Sequence, residues 1–111
     1  MRLQDQVSNV ELSNKLKKLG VVKPSLFFRD WTGAKEDAIE MNEKPEFNLD
    51  NVNCYSVAEL GEMLPDHTPS DKERGEWYIF IGGHSPAKAK TEANARAKML
   101  IYLIENGLIK I

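Results

Sequence analysis

The chain of 111 residues contains one cysteine and two histidines, and it has no long apolar run. Cys54 alone cannot close an internal disulfide or supply a cysteine-rich zinc site, so a reducing compartment is expected. No stretch reaches the roughly 18 apolar residues that span a bilayer. Met1-Arg2-Leu3-Gln4-Asp5 lacks the apolar core of a secretory signal, so a cytoplasmic protein that does not engage a membrane is expected. Repeats and low-complexity tracts are also missing. A chain of this size buries roughly two thirds of its unfolded surface, enough to fold as a single domain over 1–111 without a staple.

The formal net charge of −2 hides a division. Residues 1–35 carry seven basic and three acidic side chains, residues 36–76 three basic and twelve acidic, and residues 77–111 five basic and two acidic. Two basic ends flank an acidic middle. Charge complementarity within one domain is the plainer account, and a polyanion-binding face is the sharper one.

The chain opens with a punctuated helix. Ser8 and Glu11 have the spacing of a capping box, and Val7 and Leu12 that of a hydrophobic staple. Leu12, Leu16 and Leu19 recur at helical spacing, Gly20 stops the helix, and Val21 can fold back on Leu16. Residues 25–31 read as a strand with Leu26 and Phe28 on its apolar side. A weaker strand at 38–41 turns Ile39 and Met41 inward, and residues 42–51 form a long polar connection or an edge strand with irregular ends.

The second helix repeats the grammar, with Ser56 and Glu59 as the box, Tyr55 and Leu60 as the staple, and Pro65 as the stop. Residues 66–76 carry no apolar side chain beyond Pro69 and read as a surface loop. Trp77-Tyr78-Ile79-Phe80-Ile81 reads as a central strand, broken or bulged at Gly82-Gly83. The last helix begins at Thr91 in preference to Ser85-Pro86, with a stripe of Ala93, Ala97, Leu100 and Ile104 widened by Ile101 and Leu103. Gly107 ends it, and residues 108–111 form a short tail. The expected fold is α+β, with a small, mainly antiparallel sheet of three to four strands packed against the N- and C-terminal helices and a short middle helix inserted.

Four segments carry a resemblance. They are Val10-Glu11-Leu12-Ser13-Asn14-Lys15-Leu16-Lys17-Lys18-Leu19-Gly20-Val21, Pro24-Ser25-Leu26-Phe27-Phe28, Val57-Ala58-Glu59-Leu60-Gly61-Glu62-Met63-Leu64-Pro65, and the run from Thr91 to Asn106 that contains Ala95-Arg96-Ala97-Lys98-Met99-Leu100-Ile101-Tyr102-Leu103. In this order they resemble a group of small phage- and prophage-encoded proteins of unknown function. The resemblance implies a mobile-element context and brings no catalytic residues with it.

No constellation of residues assembles a reaction. His67, His84 and Cys54 lack metal-ligand spacing, so no metal is expected. Cys54 has no activating neighbour in sequence and reads as a packing thiol. Gly82-Gly83-His84-Ser85 lacks the lysine and hydroxyl of a phosphate loop, and no cofactor is expected. Phe27, Trp31, Tyr78 and Phe80 are candidates for gripping a peptide or stacking bases, unless helices cover them. A non-enzymatic protein-interaction module, with self-association possible, is the function expected. The alternative is a nucleic-acid-binding module. Helix, three strands and helix is the order found in double-stranded-RNA-binding domains, and Lys88, Lys90, Arg96 and Lys98 stand where such domains contact phosphates, supplemented by Lys15, Lys17 and Lys18. An extra helix at 56–64, the missing Gly-Ser-Lys-Lys run and the acidic total count against it.

Overall fold

Apolar spacing, capping side chains and turn residues divide the chain into α1 (Val10–Lys18), β1 (Ser25–Asp30), β2 (Ile39–Glu46), β3 (Asn51–Asn53), α2 (Val57–Met63), β4 (Ser70–Glu73), β5 (Glu76–Ile81), β6 (His84–Ala89) and α3 (Glu92–Glu105), after a 3-10 turn at Leu3–Asp5. The computed structural model describes residues 3–30, 39–47, 51–65, 68–81 and 84–109. Trp31, His67 and Gly82-Gly83 lie outside the described residues. The architecture is α+β, with helices near both ends and a short one between, as predicted. The strands form two antiparallel sheets of three, ordered β2-β1-β3 and β4-β5-β6, where the sequence predicts one sheet of three or four strands.

The core is built around α3. Ala93, Ala95, Ala97, Met99, Leu100, Ile101 and Leu103 are all buried on it, so burial extends well beyond the predicted stripe. Leu16 and Val21 close over it from the end of α1, Tyr55, Leu60 and Leu64 from around α2, and Ile79 and Ala87 from the second sheet. The alanines hold no side chain long enough to keep neighbouring elements away, which lets α3 sit close against β5, β6, α1 and α2. Each fully buried leucine here contributes about 1.5–3 kcal/mol of apolar transfer.

The start of α1 departs from the expected capping box. Asn9 is the N-cap, its Oδ1 accepting from Leu12 N at 2.8 Å. Ser8 is buried, and its hydroxyl oxygen accepts the Tyr55 N–H at 3.0 Å while bonding the Ser13 hydroxyl at 2.8 Å. The cap shifts by one residue because Ser8 is committed to a neighbouring segment. With Asn9 as cap, Ser8 and Ser13 occupy the two staple positions, so a hydrogen bond stands where the staple predicts apolar contact. The helix ends as predicted. Gly20 has φ +92°, Val21 N donates to Leu16 O at 3.0 Å and Gly20 N to Lys17 O at 3.1 Å, the two bonds of a Schellman motif.

The β1 side read as apolar is not the buried one. Ser25 and Arg29 are buried, whereas Leu26 and Phe28 are half-buried. Arg29 reaches inward because NH1 donates to Ser8 O at 2.7 Å. β2 runs on to Glu46 through the predicted connection, and Met41 points outward at 65% exposure rather than inward. Its register with β1 is irregular: Phe27 pairs with Met41 but Ser25 with Glu46, so the inward alternation expected from the sequence is not maintained.

At α2 the predicted box is present: Ser56 Oγ accepts from Glu59 N, and Glu59 Oε1 accepts from Ser56 N at 2.9 Å. The same carboxylate accepts from Ser25 Oγ at 2.7 Å and from Leu26 N at 2.9 Å, fastening α2 to the start of β1. Residues 70–73, read as loop, form β4 instead. Arg74 and Gly75, with φ of 54° and 81°, make the two-residue turn to β5, a geometry suited to the right-handed strand twist. β5 is central in its sheet, as predicted, and α3 is capped by Thr91, as predicted.

Candidate functional site

α2 and α3 begin side by side and their first turns open onto a cleft of about 700 Å³, within the range of small-ligand and peptide sites. Val57 and Ala58 of α2 and Trp77 of β5 supply its apolar lining. Lys72 of β4 and Lys90, just after β6, contribute cations, and Asp5 and Gln6 are also in the lining. Glu92, the first residue of α3, is also in the lining, but its carboxylate already accepts from Arg96 Nε at 3.2 Å and NH2 at 3.0 Å.

Pairing across the hairpin explains why these groups meet. Lys72 and Ala89 both pair with Trp77, one from each side of β5, so the three residues share a sheet face. The Lys72 ammonium stands 6.0 Å from the centroid of the Trp77 ring, at cation–π range. Lys90 follows Ala89 directly. The helix caps at the cleft are satisfied internally: Ser56 Oγ accepts from Glu59 N and Thr91 Oγ from Asn94 N. Asn94 Oδ1 in turn accepts from Asn9 N at 2.8 Å, which fixes the start of α1 to the start of α3.

The predicted basic residues are only partly brought together. Lys88, Lys90 and Lys98 are exposed, and Lys98 Nζ donates to the Lys88 carbonyl at 3.1 Å. Arg96 is two residues from Lys98 and so points to the opposite side of α3, where its guanidinium lies over Gly61 of α2. Lys15 pairs with Glu105 at 3.1 Å, about 10 Å further along α3 than Lys98 at 1.5 Å per residue. Lys17 is half-buried on α1 and Lys18 exposed.

Of the aromatics expected to be available, Phe27, Tyr78 and Phe80 are half-buried. The Tyr78 and Phe80 rings lie 6.5 Å apart. Asp71 pairs with Tyr78 across the hairpin and places a carboxyl on that face. Cys54 is fully buried, and desolvation pushes its thiol up to about 11 even though the nearby Arg29 pulls it down. That keeps it in the weakly nucleophilic thiol form at neutral pH. Burial likewise raises the Tyr55 phenol to about 12. Among the described residues no group of three His, Cys, Asp or Glu side chains converges as a metal site would require, and no helix is long and apolar enough to cross a membrane.

Trp77 and Lys72 were missed as site residues in the sequence because 66–76 reads as a loop and 77–81 as a central strand. The Arg74-Gly75 pair between them is the signal: a two-residue turn at 74–75 makes residues 72 and 77 cross-strand neighbours. No family model, curated protein or solved structure matches the chain.

Proposed function

We propose that this protein is a non-enzymatic accessory module, phage- or prophage-derived and cytoplasmic, that acts by binding another protein through the cleft between α2, α3 and the β4–β5 hairpin. The observation that carries this reading is the lining of the cleft. Val57, Ala58 and Trp77 offer an apolar trough with charged side chains beside it; Val57 and Trp77 pack against the core from one side while staying partly open to the cleft, and Ala58 is exposed. Such a mixture of apolar floor and polar surround is how protein segments are gripped. The full burial of Cys54 supports its reading as a packing thiol.

Peptide display on the full chain tests the reading. Ala58 is exposed at the mouth of the cleft, so Ala58→Trp fills the trough without entering the core. Selected peptides should bind the parent chain and a Glu105→Ala control alike and lose at least tenfold on Ala58→Trp. Equal binding to all three proteins would refute the cleft as the contact site.

A specific observation favours nucleic-acid binding as a second reading. α2, β4, β5, β6 and α3 together form the helix, three strands and helix order, so the middle helix that counts against that order in the sequence is itself its leading helix. Lys88, Lys90 and Lys98 are exposed on this unit, with no acidic side chain in ion-pair contact among the described residues. Binding to double-stranded RNA that weakens steeply across a salt series would support this reading, and no binding at low salt would end it.

A further inference from the structure

We infer that the cleft selects an acidic peptide segment of a partner protein, one that carries a large apolar side chain beside one or more carboxylates; this rests on the cleft being the contact site. Charge complementarity points to this occupant. Two of the side chains that line the cleft, Lys72 and Lys90, are exposed cations, and they sit on a chain whose net charge is −2. One acid in the lining, Glu92, is neutralised by Arg96 at 3.0 Å, and Arg96 is itself braced over Gly61. The remaining acid in the lining, Asp5, leaves the two lysines in excess.

Lys72 adds a second constraint. Its ammonium hangs over Trp77 at 6.0 Å, so a carboxylate that engages Lys72 brings its neighbouring side chain to the indole, in a cleft that Val57 and Ala58 also line. Apolar contact and charge are therefore read together, by groups that the hairpin register fixes in one place.

A long polyanion fits this surface less well than a short acidic segment. Asp71, Glu73 and Glu76 line the same hairpin and Glu62 is exposed on α2, and these repel a backbone that is charged at every unit. A peptide needs only one or two carboxylates at Lys72 and Lys90, and it can be neutral elsewhere.

The test titrates the isotopically labelled full chain with synthetic peptide pools randomised around a central Phe or Leu. One pool is rich in Asp and Glu, a second replaces these by Asn and Gln, and a third keeps the acids but carries Ala at the centre. A double-stranded RNA is the fourth probe. The acidic apolar pool should shift the Trp77 indole and the Ala58 and Thr91 amides saturably, and each of the other two pools should bind at least tenfold more weakly. Lys72→Gln and Lys90→Gln should each weaken binding about two- to fivefold, with the rest of the spectrum unchanged, as expected for loss of one charge pair at a rim. Equal binding of the acidic and amide pools would overturn the inference while leaving the cleft as the contact site. Shifts confined to Lys88 and Lys98 with RNA, and none with any peptide, would overturn both. Silence from all four probes at millimolar concentration would overturn the acidic-segment inference and leave the display experiment to judge the cleft.

Discussion

The Glu59 carboxylate lies 2.7 Å from the Ser25 hydroxyl, and through it the first turn of α2 is tied to the first residue of β1. Glu59 also accepts from Leu26 N and Ser56 N, so one side chain satisfies a helix cap and a strand end. Glu59→Ala removes the box and strands the Leu26 N–H and the half-buried seryl contact. A loss of about 2–4 kcal/mol is expected, more than the roughly 1 kcal/mol typical of a simple cap. Glu59→Gln, which can still accept, should cost less. Urea denaturation of the two variants measures the difference, and equal small losses would mean the bridge to β1 contributes little.

The β4–β5 turn carries a correctable strain. Arg74 holds φ 54°, which a residue with a Cβ adopts at a cost, whereas Asn is favoured at this position of a two-residue hairpin turn. Arg74→Asn should stabilise by up to about 1 kcal/mol, because the left-handed region costs most side chains roughly 1–2 kcal/mol and Asn less. Gly75→Ala should destabilise even though open space surrounds the added methyl, because φ 81° itself is the obstacle. Thermal melts would show opposite displacements of Tm; displacement of both in the same direction would contradict the turn assignment.

At Gly61 two effects compete. A Cβ there would meet Arg96 NH1 at 2.7 Å, but that atom is the tip of a long side chain that can swing away. Gly61→Ala gains about 1 kcal/mol of helix propensity and gives up the half-buried Arg96–Glu92 pair, worth about 0.3–0.5 kcal/mol for an i,i+4 contact. A small net stabilisation follows. The freed Glu92 carboxylate should then offset the lysines and weaken acidic peptides in the cleft, a loss of affinity without loss of fold that a titration and a melt separate.

Alkaline pH should destabilise the fold through Cys54. The unfolded thiol ionises near 9.0 and the buried one near about 11, so below pH 9 both states keep the proton and stability is unaffected. Between these values the unfolded chain releases a proton that the folded chain retains, so stability falls as pH rises and levels off above the upper value. Tyr55, raised from 10.0 to about 12, continues the fall in the same sense. Denaturation at pH 7.5 and pH 10.5 should show the decline, and Cys54→Ala should remove most of it over the lower part of that window. An unchanged slope in the variant would place the linkage elsewhere.

Much of the fold was legible because its signals are local. Gly20 and Gly107 stop their helices, Thr91 and Ser56 cap theirs, and the β-branched and aromatic run at 77–81 lies at the centre of a sheet. What escaped was non-local. Nothing within a few residues of Ser8 shows that its hydroxyl serves Tyr55, 47 positions away, or that Arg29 is drawn inward to its carbonyl. β4 is Ser-Asp-Lys-Glu, a strand only because β5 offers it a partner, so its polarity read as loop. The cleft escaped for the same reason, since Lys72, Trp77, Ala58 and Lys90 meet only after the hairpin and both helix starts are in place.

Photocrosslinking from the cleft shows directly whether a protein is held there. A benzophenone amino acid placed at Ala58, in cells carrying the gene in its own genetic context, should give discrete adducts with a protein partner. The same group at Leu108, 59% exposed beyond the far end of α3, should give none of them. Adducts from position 108 with none from 58, or nucleic-acid adducts alone, would contradict the account.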